Sequence, residues 1–381
     1  MKKTTRLLPA VLLTLGLLTA MQVSASDEAA QDKALRFRSD GSFKIMQVTD
    51  LQDIGLLSPA AKQLIKTALA REKPDLVVLT GDNIANFIPG LPAFLYRLYA
   101  GIAIGQFMRI FQRAGVPVAI VFGNHDSQDS LSREGQMEIY QKYSVFAGKA
   151  RPEGYTLDGC ANYRLPILNA DGSEKFQLFF LDSHSDAVQR NQLDWLAAAN
   201  DRAIPAMVFQ HIIVPEIFDY LVPGDNALGY DVPDPSEYNY VRERPCPPSA
   251  AQYQGELAVL RTQGNVQALV VGHDHTNNFV VAAGGVDLIN TASAGFNPNC
   301  NADGDRGVRV FTLRNDGSKY TEKTVRFREI CTDPAARLMN RINIGEVSVP
   351  RVIATYLFLP LYPALGLIGK LFPCLCAGEM L

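Results

Sequence analysis

Four of the chain's five histidines fall in short motifs that close apolar runs. His125 stands in Gly123-Asn124-His125-Asp126 and His211 in Gln210-His211, while His273 and His275 stand in Gly272-His273-Asp274-His275. Two earlier apolar runs end on acids, at Thr49-Asp50-Leu51-Gln52 and Gly81-Asp82-Asn83. Carboxylate, amide and imidazole are mixed oxygen and nitrogen donors, which suit manganese, iron or zinc better than calcium or magnesium alone. His273 and His275 are two apart, so on extended chain they face the same way. Asp82 follows Gly81, which permits a sharp turn, and one carboxylate can bridge two ions. Taken singly the motifs are weak. Gly-Asp after a strand is usually a turn, and a single His such as His211 more often satisfies a core. The ordered set is the signal.

Such groups need strands to aim them. Apolar or alternating runs predict strands at 43–48, 76–79, 116–122, 176–181, 206–209, 266–271 and 286–289. A closing hairpin is predicted from 308–313 and 320–325 around Asn315-Asp316-Gly317. Ser58-Pro59 opens a helix to about Arg71, and another spans Ala93 to Ala114, stopping at Gly115. Uniformly apolar strands imply a sheet covered on both faces. Alternation with helices implies an α/β fold, and the late hairpin makes the sheet mixed. In open α/β sheets ligands gather outside the carboxyl ends of strands, so five strand ends can converge on one site. Residues Glu216 to Pro247 lack periodicity and predict a lid or binding loop. It brings Tyr220, Tyr230, Tyr238 and Tyr240 near a substrate, with packing within the lid their expected role.

From about Leu35 to Gly295 this order of motifs resembles the calcineurin-like metallophosphoesterase superfamily. The likeness is greatest to single-domain phosphatases related to purple acid phosphatases. Phe43-Lys44-Ile45, Gly81-Asp82-Asn83-Ile84, Asn162-Tyr163, Leu181-Asp182-Ser183 with Gln192 and Trp195, Phe209-Gln210-His211-Ile212 and Gly272-His273-Asp274-His275-Thr276-Asn277 carry it. The resemblance implies a calcineurin-like four-layer sandwich, two mixed β-sheets flanked by helices, over residues 35–330. It implies two divalent transition-metal ions (manganese, iron or zinc). Asp82 would bridge them, Asp50 and His275 would hold the first, and Asn124, His211 and His273 the second. His125 and Asp126 would form the catalytic loop, His125 facing substrate and Asp126 orienting the loop. His184 reads as structural.

The expected activity is hydrolysis of phosphate mono- or diesters by attack of a metal-bound hydroxide, with His125 assisting the leaving group. Two ions roughly 3.5–4 Å apart neutralise the phosphate and lower the pKa of bound water. One position departs from the family pattern. The first motif normally reads Asp-x-His, but Gln52 stands at the histidine's place, and Ala85 stands where purple acid phosphatases carry a tyrosine. Gln52 could coordinate through its amide oxygen, Asp53 could swing in, or the first site could be weak or empty. The alternative reading is therefore a catalytically impaired metal- or phosphate-binding envelope protein.

The rest of the chain sets the context. It has 381 residues, 47% hydrophobic and 20% charged, an ordinary globular balance. Lys2, Lys3 and Arg6, the apolar run Leu7 to Met21 and the small residues Val23-Ser24-Ala25 predict a cleaved signal peptide over 1–25. Cleavage would move the formal charge from −3 to −6, 33 basic against 39 acidic residues, which argues against nucleic-acid binding. The expected location is the periplasm or outside the cell. Residues 331–381 form an extension. Its uncharged run from Val352 to Ile368, within an apolar tail at 352–377, is long enough to associate with a membrane, although Pro360 and Pro363 oppose a regular helix. Six cysteines (160, 246, 300, 331, 374 and 376) show no CxxC spacing, so a zinc ribbon is not expected.

Overall fold

The computed structural model describes residues 34–52, 57–84, 92–127, 131–184, 186–296, 305–343 and 362–371. The signal-peptide segment, most of the apolar tail, Asp53, Ala85, Cys300, Cys374 and Cys376 lie outside the described residues. In chain order the strands are β1 (Leu35–Arg36), β2 (Ser42–Val48), β3 (Leu76–Thr80), β4 (Val118–Val121), β5 (Tyr163–Leu168), β6 (Glu174–Phe180), β7 (Ala206–Phe209), β8 (Val222–Pro223), β9 (Tyr230–Asp231), β10 (Val266–Val271), β11 (Phe279–Ala283), β12 (Val286–Asn290), β13 (Gly307–Arg314) and β14 (Thr321–Arg326).

Two mixed sheets result. One has five strands in the order β14-β13-β2-β3-β4, and the other seven in the order β1-β5-β6-β7-β10-β12-β11. In the first, β2, β3 and β4 run parallel while β13 pairs antiparallel with both β2 and β14. In the second, β6, β7, β10 and β12 run parallel. The parallel blocks are the apolar ones, β3, β4, β7 and β12 being buried throughout.

Side-chain alternation explains the layering. On β6 and β7, Phe176, Leu178, Phe180, Met207 and Phe209 face the five-stranded sheet, joining a core with Ile45, Val48, Val310 and Phe311. The Phe209 and Phe311 rings meet edge to face at 6.3 Å between the sheets. The intervening Phe179, Leu181 and Val208 point the other way, into a second core with Leu193, Trp195 and Leu196 of helix Arg190–Ala199 and Leu257 and Leu260 of helix Glu256–Gln263. Period two thus sends one strand's residues to two cores. The far side of the five-stranded sheet is covered by helix Pro59–Glu72, which buries Ala60, Ala61, Leu64, Ile65 and Ala68, and by helix Ala93–Ala114. The architecture is the four-layer sandwich of two mixed sheets flanked by helices. Each fully buried Leu or Phe contributes about 1.5–3 kcal/mol of transfer free energy.

Local signals end the helices where the sequence predicts. Ser58 Oγ accepts from Ala61 N–H, Pro59 begins the helix, and Gly115 closes the second long helix in the left-handed region. Five strands are not predicted from the sequence, the two-residue β1, β8 and β9 and the longer β5 and β11. β5 contains Pro166 and alternates buried with half-buried residues, and β11 precedes the Gly284-Gly285 turn into β12. Near the carboxyl end, helices Pro334–Asn343 and Tyr362–Leu371 pack together, and the former also packs on Pro59–Glu72. Among the described residues no helix is long and apolar enough to cross a membrane.

Candidate metal centre

Because β2, β3 and β4 are parallel, their carboxyl ends emerge side by side, as do those of β7 and β10. The loops are stitched by backbone bonds. Asp50 N–H reaches Gly81 O (3.1 Å), Gln52 N–H reaches Asp82 O (3.0 Å) and Gly272 N–H reaches His211 O (3.1 Å). Gln47, buried on β2, ties the two sheets together. Its amide donates to Thr80 Oγ1 and to Val271 O (2.9 Å each) and accepts from Thr291 Oγ1 (2.6 Å). The five-stranded sheet therefore supplies the carboxylates and amides, Asp50, Gln52, Asp82 and Asn124, and the seven-stranded sheet supplies the imidazoles, His211, His273 and His275.

Close approach dictates two glycines here. A Cβ on Gly123 would overlap the Asp82 carboxylate, and one on Gly272 would overlap Thr49 Oγ1 and the Asp50 carboxylate. Asp50, Gln52, Asp82 and His273 all adopt positive φ (53, 40, 49 and 73°). Non-glycine residues in this region are strained by of order 1–3 kcal/mol each and persist only where the surrounding structure holds them.

The ligand groups form two overlapping triads. Asp82, His211 and His273 present donor atoms within 4.8 Å of one another, as do Asp50, Asp82 and His275. Asp82 belongs to both and is fully buried. Its Oδ2 is 3.3 Å from His211 Nε2 and accepts from Gln52 Nε2 at 2.8 Å, while Oδ1 accepts from His125 N–H at 2.8 Å. Asp50 Oδ1 is 3.4 Å from His275 Nε2, and Oδ2 accepts from Thr49 Oγ1 (2.6 Å) and His273 N–H (3.1 Å). Asn124 Oδ1 lies 3.1 Å from His211 Nε2 and completes the first triad.

Electrostatics follow from two buried carboxylates among imidazoles. Burial alone pushes Asp82 up, but the His211 charge and hydrogen bond and the nearby His125 outweigh it and hold Asp82 far below its usual range. Asp50 likewise stays low against burial because of His275 and His211. Burial works against protonated His211, yet Asp82 and Asp50 raise it to about 10. His275 is raised to about 9 against burial by Asp50. His273, half-buried and beside His211, falls to about 4 through loss of solvent and the His211 charge. The cluster draws in positive charge. The Thr80 carbonyl can only accept, so His211 Nδ1, 2.8 Å away, carries a proton and Nε2 is the nitrogen that faces Asn124 Oδ1 and Asp82 Oδ2. Lone pairs converging this way repel one another unless a proton or a cation sits among them. The residues present fit a two-cation centre.

His125 lies on the open side, 41% exposed at the side chain, with Nε2 3.9 Å from Asp82 Oδ2. Asp126 does not face the ligand groups. It is buried, and its oxygens accept from Gly123 N–H (2.9 Å), Asn83 N–H (3.1 Å) and Ile84 N–H (3.3 Å). Burial and the Asp82 charge raise it to about 7. Its role is positioning, since it fastens the loop bearing Asp82 to the loop bearing Asn124 and His125.

The sequence reading gave no role to the support behind that loop. Arg133 donates to Gly123 O (2.9 Å) and to Asp182 Oδ1 (2.6 Å). Asp182 also accepts from Cys160 N–H and His184 N–H. Asn162 Oδ1 accepts from Asp182 N–H (3.0 Å) and Gln192 Nε2 (2.6 Å), and Tyr163 OH exchanges hydrogen bonds with Ile120 of β4. Asp182 already carried a signal, standing at a strand end like the ligands. The loop tyrosines are spent on packing. Tyr220 bonds Arg261, Tyr230 meets the Phe218 ring, Tyr238 OH bonds Glu329 and Tyr240 stacks under Arg242. Cys160 and Cys331 are buried free thiols and Cys246 is exposed and free.

Residues 43–277 match the calcineurin-like phosphoesterase family. Probable inactive purple acid phosphatase 14 of Arabidopsis thaliana is 26% identical over 356 residues, covering 80% of this chain and 82% of that protein. Probable inactive purple acid phosphatase 29 of the same plant is 27% identical over 333 residues, covering 78% and 83%. Among solved structures, a dimetal phosphatase from Danio rerio aligns with 74% of this chain and 98% of its own, at 15% identity and a TM-score of 0.44.

Proposed function

Since this chain belongs to the calcineurin-like phosphoesterase family, we propose that it hydrolyses phosphate mono- or diesters at the two triads that share Asp82. The observation that carries this reading is the shared carboxylate, with Asn124 and His211 on one side, Asp50 and His275 on the other, and His125 on the open face. Asp50, Asp82 and His275 with Gln52 would hold one divalent ion, and Asp82, Asn124, His211 and His273 the other. Manganese, iron or zinc suits these donors. Such ions, when bound, neutralise the phosphate and supply a nucleophile near neutral pH.

The chain's own residues do the rest. Asp82 accepts His125 N–H and so fixes the imidazole backbone at the rim. The half-exposed His125 ring donates a proton to the leaving-group oxygen, the task a positioned imidazole performs best near its operating pH. Asp126 and Arg133 keep its loop from drifting. The test is to measure the metal content of purified full-length protein and its turnover of aryl phosphate mono- and diesters. Close to two ions in the presence of excess metal, with turnover, is the expected result. A fully loaded protein that turns over neither ester overturns the reading.

A second reading has its own support. Gln52 occupies the place of a first-motif histidine, and two of the similar plant proteins carry the words probable inactive in their names. Under it the protein binds metal or phosphate with an impaired first site. Turnover that appears only in Gln52→His favours this reading, and robust turnover in the native chain excludes it. We also propose export through residues 1–25, to the periplasm or beyond, with membrane association through 352–377. Cell fractionation tests both, and a wholly cytosolic protein rejects them.

A further inference from the structure

The two halves of the centre are chemically unequal, and the inequality comes from one side chain. The half built on Asp82, Asn124, His211 and His273 offers two oxygens and two imidazole nitrogens. In the other half, Gln52 Nε2 lies 2.8 Å from Asp82 Oδ2 and 3.4 Å from His275 Nε2. An amide nitrogen thus stands within reach of two of the three atoms that would hold the cation. The orientation is dictated by Asp82, since the opposite one would set the amide oxygen against a carboxylate oxygen. Resting on the phosphoesterase reading, the geometry points to a centre that keeps one ion tightly at Asp82, Asn124, His211 and His273, and takes the other weakly and exchangeably at Asp50, Asp82 and His275.

Physical chemistry also separates the kinds of ion. To coordinate in the second of these halves, Gln52 must turn its amide over, giving up the hydrogen bond to Asp82 and presenting oxygen. The set is then three oxygens and one nitrogen, harder than the two-and-two set across Asp82. Imidazole suits zinc and iron, whereas carboxylate and carbonyl oxygens suit manganese and magnesium. The tight half is therefore a zinc or iron site and the Gln52 half a manganese or magnesium site. Replacing the amide by an imidazole substitutes, for a nitrogen that can only donate, one that can present a lone pair to the cation.

The experiment strips full-length protein with a chelator and reloads it with zinc and manganese. It then counts metal per chain by mass spectrometry before and after gel filtration, and follows bound manganese by electron paramagnetic resonance. The native chain should keep one zinc and release the manganese. Gln52→His should keep two ions, binding the second at least tenfold more tightly, and Asn124→Ala should lose the tight zinc. Gln52→Glu, which also removes the amide donor, should raise manganese retention if the histidine variant does not fold. Two ions held equally by the native chain after filtration would overturn the inference, as would one ion in both folded Gln52 variants. The phosphoesterase reading fails on a different readout, absence of turnover at full loading, whatever the stoichiometry.

Discussion

His211 Nδ1 lies 2.8 Å from Thr80 O, so an imidazole on one sheet is oriented by a backbone carbonyl at the end of β3 on the other. The bond fixes the tautomer and leaves Nε2 for the centre, the arrangement by which outer partners raise a histidine's quality as a ligand. With excess metal present, His211→Gln should lower metal content to one ion or fewer per chain and turnover by at least about 100-fold, since even outer-partner changes cost 10–100-fold. Metal analysis beside steady-state kinetics checks it. Two retained ions would show that His211 is not a ligand.

His125 should behave differently. His125→Asn removes the proton donor without touching the triads, so metal content should stay at the native value. Turnover should fall by roughly 10²–10⁴, the span of general-acid contributions. The loss should be greater for an alkyl phosphate than for a nitrophenyl phosphate, whose leaving group needs little protonation. An equal loss on both substrates would remove the leaving-group role.

Arg133 and Asp182 form a buried pair at 2.6 Å. Removing one partner leaves an uncompensated charge, and such losses cost about 3–5 kcal/mol. Arg133→Met should lower stability by that order in denaturant titration. Arg133→Lys, which keeps the charge but loses the two-pronged reach to Gly123 O, should fold. It should lower kcat more than it raises KM and leave metal content unchanged.

Glu256 carries a pH dependence. Burial, with the Glu216 charge adding to it, raises its carboxyl to about 8 from an ordinary 4.5. The folded protein therefore binds a proton that the unfolded chain releases. Stability is untouched by this group below pH 4.5, declines as pH rises toward 8, and is flat beyond. The slope in that window is about 1.4 kcal/mol per pH unit for one proton. Glu256→Gln, which can still accept from Gln210, should remove that slope and be the more stable form at pH 8.5. Denaturant midpoints at pH 5 and 8.5 for both forms measure it, and parallel slopes would refute it.

The ligand set was legible because each member stands where an apolar run stops. Asp50, Asp82, Asn124, His211 and His273 lie two or three residues past a strand end and His275 four, and strands this rich in apolar residues left few choices for where those ends fall. The support was less legible. Gln47 lies inside β2 and reads as an ordinary strand residue, and its partners Thr80, Val271 and Thr291 lie 33 to 244 positions away. Arg133 opens a short helix and reads as a solvated charge until Asp182, 49 positions on, comes beside it. β5 was hidden by Pro166, which ordinarily demotes a strand. It is tolerated here in an antiparallel pairing with β6 that carries a register irregularity. The four loop tyrosines make their contacts with Arg261, Phe218, Glu329 and Arg242, two of these lying beyond the loop itself.

The division of ligands between the sheets makes the centre a gauge of their alignment. One sheet without the other owns either acids and amides or imidazoles, so a half-folded intermediate cannot assemble the mixed-donor, two-cation set. A slip of one strand residue, about 3.3 Å, is as large as the gaps that define the cluster. Metal capture should therefore report the last docking of the two layers, and heat should abolish it at the global melting transition rather than by fraying at the rim.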